Sequence, residues 1–204
     1  QTGLTRWLIR RMDAVVATSD RTNAYLENPG HVIMHGIDTE GFAPSPDRAA
    51  LRAELKLPVN ATLVGCYGRI RAQKGTDAFV EAMLFLPEVP VGDMADFYRV
   101  LDLYVAPQRW EGFGLTPIEA MACGVPVVAT RVGAFEKLVV QGTTGLLVDP
   151  DNIPALEAAT RDALSDRTRL AAWAEAGRSY VVSDFSIARE AAALVKIYRK
   201  LLAA

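Results

Sequence analysis

Cysteine is scarce in this chain: two in 204 residues, Cys66 and Cys123, far apart and both in segments that read as buried. No disulfide framework or cysteine metal cluster is expected from them, and a reducing compartment is the simpler reading. Histidine is as rare. The spacing of His31 and His35 would suit a metal on a helix, but they fall on an expected strand, so no metal is expected. An excess of one charge is also missing. Lys and Arg number 22 against 24 Asp and Glu, a net charge of −2, which argues against a general nucleic-acid binder. No apolar run approaches the ~20 residues that span a bilayer, and no signal peptide is recognisable. Apolar residues, by contrast, make up 50% of the chain, enough for a full core. The length suggests one to two domains. The chain opens at Gln1 rather than methionine, so its natural start is expected upstream.

The most informative stretch runs from Trp110 to Pro126. A short apolar run, 101–106, reads as a buried strand ending at Pro107. Gly112 and Gly114 then let the backbone turn sharply and approach a ligand. Thr116 suits an N-cap and Pro117 the first helical position, and Glu119 completes a capping box with Thr116. Gly124 and Pro126 end the helix after about two turns, and 127–129 begin another buried strand. Such a unit aims free N–H groups at an anion.

A second unit of this kind lies upstream. Residues 63–68 read as a strand and 69–75 as the loop after it, with Thr76 capping a helix that carries Phe79, Val80 and Met83. Arg69 and Lys74 bracket that loop. Ligands of parallel α/β sheets bind beyond the carboxyl ends of the strands, where both loops sit. The expectation is an anion held by Arg69 and Lys74 on one side, with hydroxyls held by Glu111 and Glu119 on the other. A sugar nucleotide has both features.

Gly68-Arg69, Lys74-Gly75 and the run Glu111-Gly112-Phe113-Gly114-Leu115-Thr116-Pro117-Ile118-Glu119 resemble the donor-binding signature of retaining glycosyltransferases with the GT-B fold, the group 1 family. The resemblance covers most of residues 12–204. It is nearest to bacterial transferases of lipopolysaccharide core, mannosyltransferases especially. It implies an α/β fold of two Rossmann-like domains, of which this chain holds mainly the C-terminal, donor-binding one. Residues 1–39 would end the N-terminal acceptor domain, 40–185 would be the donor domain, and 186–204 a helix crossing back.

Elsewhere, residues 4–12 read as a helix with apolar and basic faces. It either packs on its own sheet or meets an anionic membrane surface through Trp7, Arg6, Arg10 and Arg11. Strands are expected at 13–19, 31–38 and 145–148. Helices are expected at 47–57, at 93–101 with Met94, Phe97 and Val100 or Leu101 on one face, at 134–140 and at 167–182. Asp151 is expected to cap the helix holding Leu156, rather than to bind a metal with Asp149. Ser186 caps the last helix, whose apolar stripe is Ala191, Leu194, Val195, Tyr198 and Leu201. The helix from Thr76 runs straight into a strand edge at 84–87, whereas a parallel sheet needs a dozen or more residues between strands. Residues are therefore expected to be missing between Met83 and Leu84.

The resemblance assigns roles. Arg69 and Lys74 would neutralise the departing diphosphate with the N–H groups of Gly114, Leu115 and Thr116, so that no metal or other cofactor is needed. Glu119 would accept the ribose hydroxyls. Glu111, with Gly112 and Phe113, would hold the donated sugar, and the tract around Val89 would contact the base, guanine for a GDP-mannose donor. The acceptor would be a glycan or glycolipid in the cytoplasm, with possible peripheral membrane contact and no nucleic acid. Two rivals stand beside this reading. A glycoside hydrolase using Glu111 and Glu119 leaves both cations unexplained. A non-catalytic nucleotide-sugar-binding subunit would be half of such an enzyme.

Overall fold

The computed structural model describes residues 2–67, 71–82 and 94–203. Gly68, Arg69, the Met83–Leu84 junction, the strand expected at 84–87, Val89 and the start of the helix expected at 93 lie outside them. The elements in order are α1 (Gly3–Ile9), β1 (Val16–Ala17), α2 (Asp20–Asn23), β2 (His31–Val32), α3 (Arg48–Glu54), β3 (Val64–Gly65), α4 (Thr76–Ala82), α5 (Met94–Arg99), β4 (Leu103–Ala106), α6 (Thr116–Ala122), β5 (Val127–Thr130), α7 (Phe135–Leu138), β6 (Gly145–Val148), α8 (Ile153–Ser165), α9 (Arg167–Asp184) and α10 (Ile187–Leu202). A 3-10 turn, Ala72–Lys74, precedes α4.

The principal sheet is parallel with strand order β3-β4-β5-β6. Tyr104 pairs with Val127 and Ala106 with Ala129. Every residue of β4 and β5 is buried, as expected of parallel strands covered on both faces. Alternation along β4 divides the core. Tyr104 and Ala106 face a layer with Ile118, Met121 and Phe135. Leu103 and Val105 face Leu156, Ala163, Leu170 and Trp173 from α8 and α9. A smaller parallel pair, β1 with β2, stands apart from this sheet. Backbone bonds between Ile37 and the Phe185–Ile187 turn tie the chain leaving it to the end of α9.

The strands at the N-terminal end are much shorter than their apolar runs predict, two residues each at β1, β2 and β3. Only a few residues there have a paired neighbour. Helix α1 does not pack on the sheet. None of its residues is buried; Arg6 and Arg10 hold Glu27, and the Arg11 guanidinium lies over Trp7. On α5 the buried residues are Ala95, Phe97 and Tyr98, while Met94, expected on the inner face, is exposed. Asp151 does not cap α8. Asn152 does, accepting the Ala155 N–H at 3.0 Å. Ser186 caps α10 as expected. No residue of α10 is buried, so the stripe through Val195 and Tyr198 faces outward. Among the described residues no helix is long and apolar enough to cross a membrane.

Candidate donor site

Three loops leave the carboxyl ends of β3, β4 and β5 and pack on one another through glycines. Gly75 has φ 65°, and a Cβ there would come within 1.9 Å of the Pro107 carbonyl oxygen. Gly133 has φ 55°, and its Cβ would come within 1.9 Å of the Glu111 carbonyl oxygen. No side chain fits either contact, so the three loops hold together as one surface.

Helix α6 begins one residue earlier than the capping-box reading requires. Leu115 is the N-cap, already helical at φ −73°, ψ −29°, and makes no side-chain cap bond. Thr116 is thus inside the helix. The capping box is not formed. The C-terminus matches expectation. Gly124 at φ 74° follows the helix, and the bonds Gly124 N–H to Met121 and Val125 N–H to Ala120 close a Schellman motif. Thr76 is likewise the first residue of α4 and not its cap.

Lys74 Nζ and the Glu111 carboxylate form an ion pair across the gap between the first two loops. The expectation set cation and carboxylate on opposite sides of a ligand; here the two side chains pair directly. The other Glu111 oxygen accepts the Gly112 N–H at 3.1 Å. Just beyond, the N–H groups of Gly114, Leu115 and Thr116 have no acceptor among the described residues. Gly114 stands at φ 78° with Phe135 against it, whereas a Cβ on Gly112 would meet nothing within 4 Å among the described residues. Phe113 is buried, with the His35 ring edge-on at 5.2 Å. His35 in turn bonds Glu190 at 3.1 Å.

Glu119 lies deeper. Its carboxylate accepts the Tyr98 hydroxyl at 2.7 Å. Burial pushes its pKa above the ordinary carboxylate range, and the Tyr98 bond opposes that rise. Tyr98 belongs to a cluster with Tyr67 and Tyr104, ring centroids 5.1 and 5.4 Å away, and burial raises all three phenols. Burial also pushes the Cys66 thiol up to about 12, which makes it inert as a nucleophile. Sequence reasoning missed Tyr98. Its one signal was a large amphipathic side chain beside Phe97 on a core helix, whose hydroxyl needs a partner once buried. Lys74, Glu111, the free N–H row and Glu119 are thus brought together. Arg69 and Val89 lie outside the described residues.

The site thus sets a cation, a carboxylate and N–H groups without an acceptor among the described residues at the carboxyl edge of a parallel sheet, and comparison with known proteins gives the class. The sequence profile of Glycosyl transferases group 1 matches residues 83–180. The chain belongs to that glycosyltransferase family and shares the fold of GT-B enzymes. Among individual relatives, it is 44% identical to the lipopolysaccharide core biosynthesis mannosyltransferase LpsB of Rhizobium meliloti, over 98% of this chain and 69% of that protein. It is 40% identical to the corresponding LpcC of Rhizobium leguminosarum bv. viciae, over 98% of this chain and 68% of that one. In structure it resembles sucrose-phosphate synthase from Thermosynechococcus elongatus, with a TM-score of 0.88 and 27% identity over 98% of this chain and 61% of that one. The C-terminal domain of a group 1 glycosyl transferase (LpcC) from Francisella tularensis gives a TM-score of 0.67 at 26% identity, over 74% of this chain and all of that one.

Proposed function

We propose that this chain is the donor-binding part of a retaining, metal-independent mannosyltransferase. It moves mannose from a nucleotide-diphosphate sugar, GDP-mannose, to a glycan or glycolipid acceptor of lipopolysaccharide core. The observation that carries the reading is the Lys74–Glu111 ion pair beside the N–H groups of Gly114, Leu115 and Thr116, which have no acceptor among the described residues. The names of the relatives supply the sugar and the acceptor class.

The bound donor exchanges partners with that pair. Its diphosphate takes Lys74 and the N–H row, while the sugar hydroxyls take Glu111. Charge grows on the phosphate oxygens as the glycosidic bond breaks, and fixed cations and dipoles act most strongly there. Arg69 is the second cation in this scheme, which is why a divalent metal is not required. Glu119 accepts the ribose hydroxyls, and the tract around Val89 meets the base. The acceptor attacks from the face the diphosphate leaves, so configuration is retained. Such an acceptor would draw the enzyme to the cytoplasmic membrane surface as a peripheral protein.

The test is turnover by the full-length enzyme with a panel of GDP, UDP and ADP sugars, followed by NMR of the anomeric linkage. GDP-mannose should be preferred, give an α-linked product and react equally in EDTA. Preference for another donor, an inverted product or loss of rate in EDTA would each remove the corresponding part of the reading.

A further inference from the structure

We propose that Arg109 is the positioning residue of Lys74, fixing where its ammonium group stands; the inference rests on the donor-site reading above. Arg109 sits just beyond β4 and grips the Lys74 loop from both sides. Its backbone N–H donates to the Gln73 carbonyl at 2.9 Å, and Nη1 donates to the Ala72 carbonyl at 2.7 Å. On the far side of Lys74, Nη1 and Nη2 reach the two Asp77 oxygens at 2.7 and 2.8 Å. Nε donates to Asp151 at 2.5 Å. The Gln73 side chain donates back to the Trp110 carbonyl at 3.4 Å.

These bonds clamp residues 72–77 against 107–111, with Lys74 at the middle of the clamp and Glu111 at its open end. Asp77 and Asp151 are 65% and 63% exposed, and ion pairs so solvated add little to stability. Their effect is directional. Two carboxylates at fixed angles hold the planar guanidinium so that one edge stays on the Ala72 carbonyl. Asp151, which reaches Nε, stands at φ 60°. Only a fork of five donors serves Ala72, Asp77 and Asp151 together.

The experiment is a double-substitution cycle of Arg109→Lys and Lys74→Ala in the full-length enzyme, reading kcat/KM for the nucleotide-sugar donor. Lysine keeps a charge near both aspartates but cannot make the forked contacts. In the parent, Arg109→Lys should cost between about 10- and 100-fold, the scale of displacing an active group by up to about an ångström. In the Lys74→Ala background it should cost less than about twofold, within the error of additivity. Equal losses in both backgrounds, which a general weakening of the fold would also produce, overturn the proposal, as does no loss in the parent. A Lys74→Ala enzyme with parental kcat/KM would instead sink the donor-site reading of Lys74.

Discussion

The Tyr98 hydroxyl donates to the Glu119 carboxylate at 2.7 Å, joining the helix before β4 to the helix after it. The bond occupies one lone pair of a carboxylate that has no capping duty, since Leu115 makes no side-chain cap bond and Thr116 lies inside the helix. Glu119 is therefore a half-buried acid with lone pairs beyond the one that Tyr98 takes.

Its pKa stands above the ordinary carboxylate range because of burial. A raised folded-state value means that its contribution to stability is full below that range and is lost as pH rises through the raised value. Glu119→Gln removes this dependence and keeps an acceptor for Tyr98. Across that window the parent should lose melting temperature relative to the variant as pH increases. Hydrogen bonds to charged groups are worth about 1.5–3 kcal/mol, so the same variant should lose about 10- to 100-fold in donor affinity at neutral pH. Parental donor affinity would leave Glu119 a structural partner of Tyr98 alone. Tyr98→Phe removes the contact that lowers the Glu119 pKa, so the acid limb of the donor-binding profile should move to higher pH.

The Lys74–Glu111 pair separates two halves of the donor. Lys74→Ala should weaken the free nucleoside diphosphate and the nucleotide sugar alike, by about 10- to 100-fold for a charged contact. Glu111→Gln should spare the nucleoside diphosphate and weaken only the nucleotide sugar. Calorimetric titration of both ligands into both variants checks this. Equal loss of the two ligands in Glu111→Gln would mean that Glu111 acts only as the counter-ion of Lys74.

The buried parts of this fold were readable in the sequence where one residue type determines the outcome locally. The apolar runs at β4 and β5, the two-turn helix ended by Gly124 and the Ser186 cap all have that character. What was not readable depended on partners distant in sequence. Arg52 would be taken for a solvated helix residue, yet it is buried with its guanidinium on the Val100 carbonyl and Asp102. The capping box failed because spacing does not reveal that the helix opens at Leu115 and that Tyr98 takes the Glu119 carboxylate. Within the candidate site, residue types singled out Lys74 and Glu111 as candidates, but not that they would pair, because a sequence does not show distances between loops.

The alignment with the Rhizobium meliloti relative runs over 243 positions, more than the 204 residues of this chain. That relative carries residues with no counterpart here. The gene for this protein should encode an additional strand and helix between Met83 and Leu84, completing the connection to α5. Sequencing the locus and measuring the intact mass of the expressed protein check this. A product in which Met83 and Leu84 are adjacent would refute it.

Gly112 gives the sharpest separation of stability from function. A Cβ added there meets nothing within 4 Å among the described residues, and Gly112 is not among the residues with positive φ. Replacing Gly by Ala at a compatible backbone stabilises by about 0.4–1 kcal/mol, because the unfolded chain has less freedom to lose. Gly112→Ala should therefore melt at or slightly above the parent temperature. Gly133→Ala, whose Cβ would meet the Glu111 carbonyl oxygen at 1.9 Å, should melt well below it. If the space over Gly112 is where the donated sugar lies, the new methyl group occupies it and turnover should fall sharply in a protein that is no less stable. Free nucleoside diphosphate, which lacks the donated sugar, should still bind. A Gly112→Ala enzyme with parental kcat/KM would show that the sugar does not sit there, and the donor would have to approach the Lys74–Glu111 pair from another side.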